Sequence, residues 1–234
     1  SPNEQAVAGW QEGPQVTVDG HGTIYVVWLG AQDQGIRHAR STDGGKTFSR
    51  SVRVGERVHA RQTYPSLAVD QAGGVCVAWL DSRLSTKREP PYEFQVFFSK
   101  STDGGKTFTA DRSATGHKPF GVCDCCRTAI DVGPTGEIVI AYRDVNPQFV
   151  RDIAMVRSTD GGTTFSKPIP VSASGWQFGG CPADGPSLGI DGSGRIHAAW
   201  MDGRKGSWDI YYAMSRDGRS FSEAQRVNIE PTLV

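Results

Sequence analysis

The chain has 234 residues, with 25 basic and 25 acidic side chains that give a formal net charge of zero. This balance argues against a nucleic-acid-binding surface, which requires a local excess of Lys and Arg. No run of about 18 apolar residues is present to span a membrane. The length is that of one domain with a sizeable core, so we predict a single domain over residues 1–234.

In chain order, the sequence alternates short apolar runs with Asp- and Gly-rich clusters. The runs are rich in Val, Ile and aromatic residues, a composition typical of strands, and no window has the periodicity of a helix. One order of runs recurs four times: a first run, a glycine-containing turn, a second run and a third run. The second runs lie at 24–28, 75–79, 138–142 and 196–200.

An octapeptide follows the third run of each unit. It reads S-T-D-G-G-K-T-F at 41–48 and 101–108, S-T-D-G-G-T-T-F at 158–165, and a shortened S-R-D-G-R-S-F at 215–221. A nearly fixed period predicts one supersecondary unit whose copies bury their faces against one another. Four strands per unit, with the units in tandem, describe the blades of a β-propeller. The aspartates of the four octapeptides are Asp43, Asp103, Asp160 and Asp217, at successive distances of 60, 57 and 57 residues.

The octapeptide resembles the Asp-box, or BNR, repeat of sialidase-like β-propellers, and its four copies extend over nearly the whole chain. The resemblance implies an all-β fold of four-stranded antiparallel blades, at roughly 12–57, 58–116, 117–174 and 175–231. It also implies that the Asp-box hairpins are structural and that the protein is secreted or periplasmic. Sialidase-like propellers usually have six blades, so the four visible blades indicate an incomplete propeller with a six-bladed parent or, alternatively, a four-bladed ring.

Three cysteines interrupt the repeat as C-D-C-C at 123–126. The turn glycines of the third and fourth units set an offset of 58 residues, which places Cys123 opposite Cys181. Both cysteines precede the first strand of a blade. Because such loops converge around the mouth of the central channel, we expect the two cysteines to lie close together. Cys76 lies in a second run and is interpreted as a buried structural thiol.

Three interpretations of the cysteine cluster remain open. Oxidation in an extracytoplasmic compartment would give disulfides, with Cys123–Cys181 the most natural pair and a vicinal Cys125–Cys126 bond as an alternative. Several thiolates in one cleft would instead bind a soft metal, copper or zinc. The third interpretation is a redox thiol whose pKa is lowered by the adjacent Arg127.

Charged residues are expected around the same channel mouth, because the second runs end in Asp and Arg. Inter-blade ion pairs would explain this pattern, and so would recognition of an anion or sugar by Arg side chains. The residues expected to line this rim are Arg83, Asp124, Trp176, Asp184, Asp202 and Arg204.

The resemblance implies a specific catalytic set, which the sequence matches poorly. Sialidases hold a carboxylate with three arginines and use an Asp as acid/base and a Tyr–Glu pair as nucleophile. The F/Y-R-I-P motif of the family is absent, and the nearest Tyr–Glu pair, at 92–93, lies in a Pro-rich insertion. The remaining candidates for an arginine triad and an acid are Arg61, Arg127, Arg143, Asp81 and Asp144.

Three functions follow from these patterns. The first is a propeller with a cysteine-rich site for a small ligand or a soft metal, copper or zinc, at the channel mouth. The second is a sialidase-like exo-glycoside hydrolase that binds a glycan with the Arg/Asp rim. The third is a non-catalytic scaffold that binds other protein chains. The sequence favours the first, because a scaffold has no evident need of C-D-C-C at the mouth and the hydrolase motif is absent.

Overall fold

The computed structural model describes residues 6, 13–31, 35–56, 59–87 and 93–228. Within these ranges the protein consists of strands, turns and loops without a helix. No helix in the described residues is therefore available to cross a membrane. The all-β prediction is confirmed.

The described strands form four antiparallel sheets of four strands, each in the order of the chain. We call these sheets blades one to four. Blade one contains β1 (Gln15–Val18), β2 (Ile24–Leu29), β3 (Ile36–Ser41) and β4 (Val52–Arg53); blade two β5 (Gln62–Val69), β6 (Val75–Asp81), β7 (Gln95–Ser101) and β8 (Arg112–Ser113); blade three β9 (Ala129–Val132), β10 (Ile138–Arg143), β11 (Ile153–Ser158) and β12 (Ile169–Pro170); and blade four β13 (Ser187–Ile190), β14 (Ile196–Asp202), β15 (Asp209–Ser215) and β16 (Gln225–Arg226).

Each octapeptide forms the hairpin between the third and fourth strands of its blade. In blade one, Asp43 accepts hydrogen bonds from the Ser41 hydroxyl (2.7 Å), the Thr47 backbone N–H (2.9 Å) and the Thr47 hydroxyl (2.6 Å). These bonds, those of Thr47 first, lower the pKa of Asp43 to about 2. The same three contacts recur around Asp103 and Asp160, and Asp217 accepts backbone N–H bonds in the shortened copy.

Three apolar cores join the four blades in the described part of the chain. Trp79 lies in the core between blades one and two, Phe98 in the core between blades two and three, and Met155 in the core between blades three and four. Strands β6 and β10 are buried at every position, because both faces of the middle blades are packed. In β2 and β14, buried residues alternate with partly exposed ones, so the described residues cover one face of each of these strands.

The antiparallel order separates two ends of the molecule. The octapeptide hairpins and the turns between first and second strands lie at one end. The loops from second to third strands, and from each fourth strand to the next blade, lie at the opposite end. We call this opposite end the loop face; it includes residues 114–128, 144–152, 171–186 and 203–208. The cysteine motif and Cys181 both lie on the loop face.

Candidate functional site

A sulfur cluster lies on the loop face between blades three and four. The Sγ atoms of Cys123, Cys125 and Cys126 all lie within 4.8 Å of one another. The Cys123 sulfur is 2.9 Å from that of Cys126 and 3.6 Å from that of Cys125. Cys123 and Cys126 are each 1% exposed, whereas Cys125 is partly exposed.

The loop that carries the cluster is held by backbone hydrogen bonds on both sides. Val122 donates to the carbonyl of Phe94 (2.8 Å), and Cys123 donates to the carbonyl of Arg143 (3.0 Å). Gly121 has a φ of +70°, and a Cβ at this position would lie 2.5 Å from the Phe94 carbonyl oxygen. A glycine is therefore required where the loop enters the cluster.

A disulfide joins Cys125 to Cys181, with 6.3 Å between the two Cα atoms. The predicted Cys123–Cys181 pair and the alternative Cys125–Cys126 bond are both wrong. Cys181 is exposed and Cys125 lies at the exposed side of its loop, so these two side chains meet. Cys123 is directed inward, where its sulfur contacts Arg151 and Cys126. The free cysteines are Cys76, Cys123 and Cys126, all of them buried.

Arg151 contacts the cluster directly and was missed by the sequence analysis. Its Nη1 donates to the Cys123 sulfur at 3.1 Å, its Nη2 to the carbonyl of Gly180 at 3.0 Å and its Nε to the carbonyl of Phe178 at 3.2 Å. The residue is 8% exposed. Two carbonyls therefore fix the guanidinium in the orientation that directs one N–H at the sulfur.

Arg143 places a second buried guanidinium behind the first. It is 1% exposed and donates to three backbone carbonyls, those of Arg151 (2.8 Å), Met201 (2.7 Å) and Asp184 (3.1 Å). Its ring neighbour is Trp176, whose centroid lies 5.5 Å from the Arg143 Cζ. In the described part of the chain, no carboxylate hydrogen-bonds either guanidinium. Their charge lowers the pKa of Cys123, and that of Arg143 also acts on the Asp184 carboxyl group.

Comparison of the blades reveals both arginines as departures from the repeat. The strand register aligns Arg143 with apolar residues near the ends of the other second strands, and the position of the octapeptides aligns Arg151 with a glutamine or an aromatic residue before the other third strands. Two arginines at such positions in one blade were a signal available in the sequence. The equivalents of Arg143 are Leu29, Leu80 and Met201, and those of Arg151 are Gln34, Phe94 and Trp208.

The two free thiols of the cluster have opposite pKa shifts. The pKa of Cys123 is lowered, first by its hydrogen bond with Cys126 and then by the positive charges of Arg151 and Arg143, against the effect of burial. The pKa of Cys126 is raised, by the same hydrogen bond and by burial. Of the two thiols, that of Cys123 is therefore the one that loses its proton more readily.

Most of the predicted Arg/Asp rim is engaged in ion pairs within blades. Asp81 is buried and accepts hydrogen bonds from Gln62 (3.0 Å), Trp79 (3.0 Å) and Arg83 (2.6 Å). Arg83 also pairs with Asp111 at 2.6 Å. Blade four repeats the arrangement with Trp200, Asp202 and Arg204. The residues of each set belong mainly to one blade. Arg83 also pairs with Glu56 before blade two, at 3.7 Å, which is an inter-blade pair of the kind offered as one explanation of the charge pattern.

The other rim candidates do not form a common site. Arg61 is exposed and donates its backbone N–H to Ser82, Arg127 lines a cavity together with Asp184, and Asp144 pairs with Lys118. Asp124 is exposed beside the cluster. Arg143, the third candidate for the triad, is buried against backbone carbonyls. Tyr92 lies outside the described residues.

An aromatic cluster lies beside the sulfurs on the loop face. Trp176 stacks on Phe178 with ring centroids 5.3 Å apart, and Trp208 meets both rings edge-on. Trp176 is 8% exposed and covers Arg143, whereas Trp208 is 38% exposed. The predicted rim residue Trp176 therefore shields the buried guanidinium from solvent, and Trp208 presents the exposed ring.

The chain is similar to solved glycoside-processing propellers. The Hadza microbial sialidase Hz136 has a TM-score of 0.62 and 16% identity, over 94% of this chain and 46% of that chain. The intramolecular trans-sialidase from Ruminococcus gnavus, in complex with oseltamivir carboxylate, has a TM-score of 0.66 and 12% identity, over 93% of this chain and 71% of that chain. The α-L-arabinanase of Penicillium chrysogenum, in complex with arabinobiose, has a TM-score of 0.66 and 16% identity, over 96% of this chain and 69% of that chain. The fold is a sialidase-like β-propeller.

The similarity is one of fold. No protein-family model matches the sequence, and no curated protein matches it. The chain spans from 46% to 71% of the length of these three structures. At such identities the shared architecture carries no catalytic residue from those proteins to this one.

Proposed function

We propose that this sialidase-like propeller binds a soft metal ion through cysteine thiolates on its loop face, with Cu(I) favoured over Zn(II). The observation that carries the proposal is the sulfur cluster, in which three Sγ atoms lie within 4.8 Å. Thiolate sulfur is the ligand that selects Cu(I) and Zn(II) among biological metals. Cys123 and Cys126 are the ligands, since both are free, buried and adjacent.

The environment of Cys123 and Cys126 favours metal binding by their thiolates. A metal-bound cysteine must lose its proton, and the lowered pKa of Cys123 makes this loss easier. Two bound thiolates around a monovalent ion leave a net negative charge, which Arg151 and Arg143 offset. Zinc sites with a structural role use four ligands, whereas the disulfide at Cys125 leaves two free thiols in the cluster. Cu(I) is satisfied by fewer sulfur ligands and is the better match.

The disulfide also supports an extracytoplasmic location. Disulfides persist in secreted and periplasmic proteins and are rare where glutathione and thioredoxin keep thiols reduced. The Cys125–Cys181 bond involves an exposed cysteine, which a reducing cytosol would attack. We therefore assign the protein to an oxidising compartment, as the resemblance to secreted sialidases implies.

The positions of the rim residues weigh against the hydrolase alternative. Asp81 and Asp202 already accept hydrogen bonds from Trp and Arg side chains of their own blades, which leaves neither poised as an acid. Arg143 is directed at carbonyls below the surface. A glycan that bound here would stack on the exposed Trp208 without the clamp of three arginines.

The test is metal binding by the purified, chelator-free protein. We expect about one Cu(I) per chain, detected by competition with a chromogenic Cu(I) chelator and by elemental analysis. Cys123→Ser and Cys126→Ser should each abolish binding, and Cys76→Ser, which replaces a buried thiol outside the cluster, should retain it. Circular dichroism verifies that each variant is folded. A folded wild type with both cluster thiols reduced and neither Cu(I) nor Zn(II) bound would overturn the proposal.

A further inference from the structure

The four cysteines of the loop face form a continuous series from the surface to the interior. Cys181 is exposed and bonded to the partly exposed Cys125. The Cys125 sulfur lies 3.6 Å from that of Cys123, which lies 2.9 Å from that of Cys126. Each sulfur is thus adjacent to the next, and the last two are each 1% exposed.

We propose that this series is a thiol–disulfide relay, in which an external disulfide reacts at Cys181 and the resulting bond moves inward to Cys123–Cys126. The exposed end meets solvent reagents that cannot reach the buried dithiol. The inner end keeps the product away from further exchange with solvent. The relay requires no metal and stands independently of metal binding.

Each step exchanges one sulfur–sulfur bond for another. With all four cysteines reduced, the Cys181 thiolate attacks the external disulfide and releases one thiol. Cys125 then attacks the Cys181 sulfur, forming Cys125–Cys181 and releasing the second external thiol. Cys123 attacks the Cys125 sulfur, and the electron pair of the broken bond goes to Cys181, which takes a proton from solvent. Finally Cys126 attacks Cys123, forming Cys123–Cys126 and returning Cys125 as a thiol.

The balance is complete without any other reactant. One external disulfide is reduced to two thiols, and one buried dithiol is oxidised to a disulfide. The third step begins from the arrangement in the structure, with the Cys125–Cys181 bond formed and Cys123 at 3.6 Å from it. The N–H of Arg151 on the Cys123 sulfur, at 3.1 Å, stabilises the attacking thiolate.

The relay would also control the metal site, a consequence that rests on the proposed function. When the bond lies at Cys125–Cys181, Cys123 and Cys126 are free to bind a metal. When it has moved to Cys123–Cys126, both ligands are consumed. A bound metal ion would conversely hold the bond at the exposed position.

The experiment follows the position of the disulfide in metal-free protein. Fully reduced protein receives one equivalent of oxidised glutathione, samples are quenched in acid and blocked with N-ethylmaleimide, and the bonds are mapped by mass spectrometry. We expect a glutathione adduct at Cys181 first, then Cys125–Cys181, then Cys123–Cys126. In Cys125→Ser, which removes the connecting sulfur, the adduct should remain at Cys181 and Cys123–Cys126 should form about tenfold more slowly or not at all.

The controls separate the relay from direct oxidation and from metal binding. Cys76→Ser should follow the wild-type time course, and circular dichroism verifies that Cys125→Ser is folded. Formation of Cys123–Cys126 at the wild-type rate in Cys125→Ser, or its absence in the wild type, would overturn the relay. Because the mapping involves no metal, either result leaves the Cu(I) titration to be judged separately.

Discussion

Buried basic side chains in this protein are accommodated in two different ways. The positive charges of Arg143 and Arg151 are solvated by backbone carbonyls of the loop face and by the Cys123 sulfur. His38, 1% exposed in β3, instead becomes neutral: burial lowers its pKa to about 4, although its Nδ1 contacts the Val26 carbonyl at 3.2 Å. A buried arginine costs several kcal/mol unless it is compensated, and the carbonyls and the sulfur around Arg143 and Arg151 provide this compensation.

The neutral His38 predicts a pH dependence of stability. Between pH 6.5 and 4 the unfolded chain binds a proton at this histidine and the folded chain does not. The free energy of unfolding should therefore fall as the pH is lowered through this window, by about 3 kcal/mol from this group at pH 4.

Urea denaturation at a series of pH values measures the effect, with His38→Gln expected to flatten the slope. His21→Gln, at an exposed histidine, is the matched control and should keep the wild-type slope. Identical slopes in the wild type and His38→Gln would contradict the assignment.

At the scale of an element, the octapeptide hairpin is also a contact between blades. A Cβ on Gly105 would lie 2.1 Å from the Nε2 of His38 in the preceding blade, and a Cβ on Gly162 would lie 2.1 Å from a ring carbon of Phe98. The second glycine of the motif is therefore required twice, by its positive φ and by the close approach of the neighbouring third strand. This double requirement holds in the second and third octapeptides, whereas the nearest atom to a Cβ on Gly45 in the first is Ile24 Cδ1 of its own blade, at 3.4 Å.

The two glycines of the third octapeptide provide a matched pair of substitutions. Gly161 and Gly162 have φ values of +71° and +89°, but only Gly162 faces Phe98, and nothing lies within 4 Å of a Cβ on Gly161. Gly161→Ala should cost about 1 kcal/mol for the left-handed backbone. Gly162→Ala should cost about 1–3 kcal/mol more, because Phe98 must move. Chemical denaturation of both variants measures the difference. Equal losses in the free energy of unfolding would show that the close approach of Phe98 adds no cost to the substitution at Gly162.

At the scale of the whole molecule, the sulfur site bridges two blades. Cys125 precedes blade three and Cys181 precedes blade four, and Arg143 at the end of β10 donates to carbonyls of blade four and of the loop before it. The core around Met155 joins the same two blades. The relative position of blades three and four therefore depends on the chemistry of the site, so a change in the disulfide is also a change in the stability of the propeller.

Loss of the disulfide should destabilise the protein as a whole. The bond closes a loop with a sequence separation of 56 residues, and the chain-entropy estimate for such a loop is about 4 kcal/mol. We expect Cys181→Ser to lower the free energy of unfolding in urea by about 2–4 kcal/mol. Cys76→Ser, in the absence of reductant, is the control for the loss of a thiol alone. A Cys181→Ser variant as stable as the oxidised wild type would show that the loops are held by packing and by Arg143 alone.

The sequence by itself determined the strands, their grouping into blades and the placement of the cysteines on one face. These features depend on local periodicity, on turn residues and on a repeat of nearly constant length, all of which can be read along the chain. Comparison of the repeats could also have identified Arg143, which replaces an apolar residue, and Arg151, which replaces an aromatic residue or a glutamine.

Only the tertiary structure decided which sulfurs meet. The offset between blades aligned Cys123 with Cys181, but the disulfide forms at Cys125, because the loop turns Cys123 inward toward Arg151. Likewise, only the structure assigned Asp81 to Arg83 and Trp79 of its own blade. The direction of a side chain in an irregular loop depends on contacts from distant parts of the chain, and these contacts exist only once the blades are packed together.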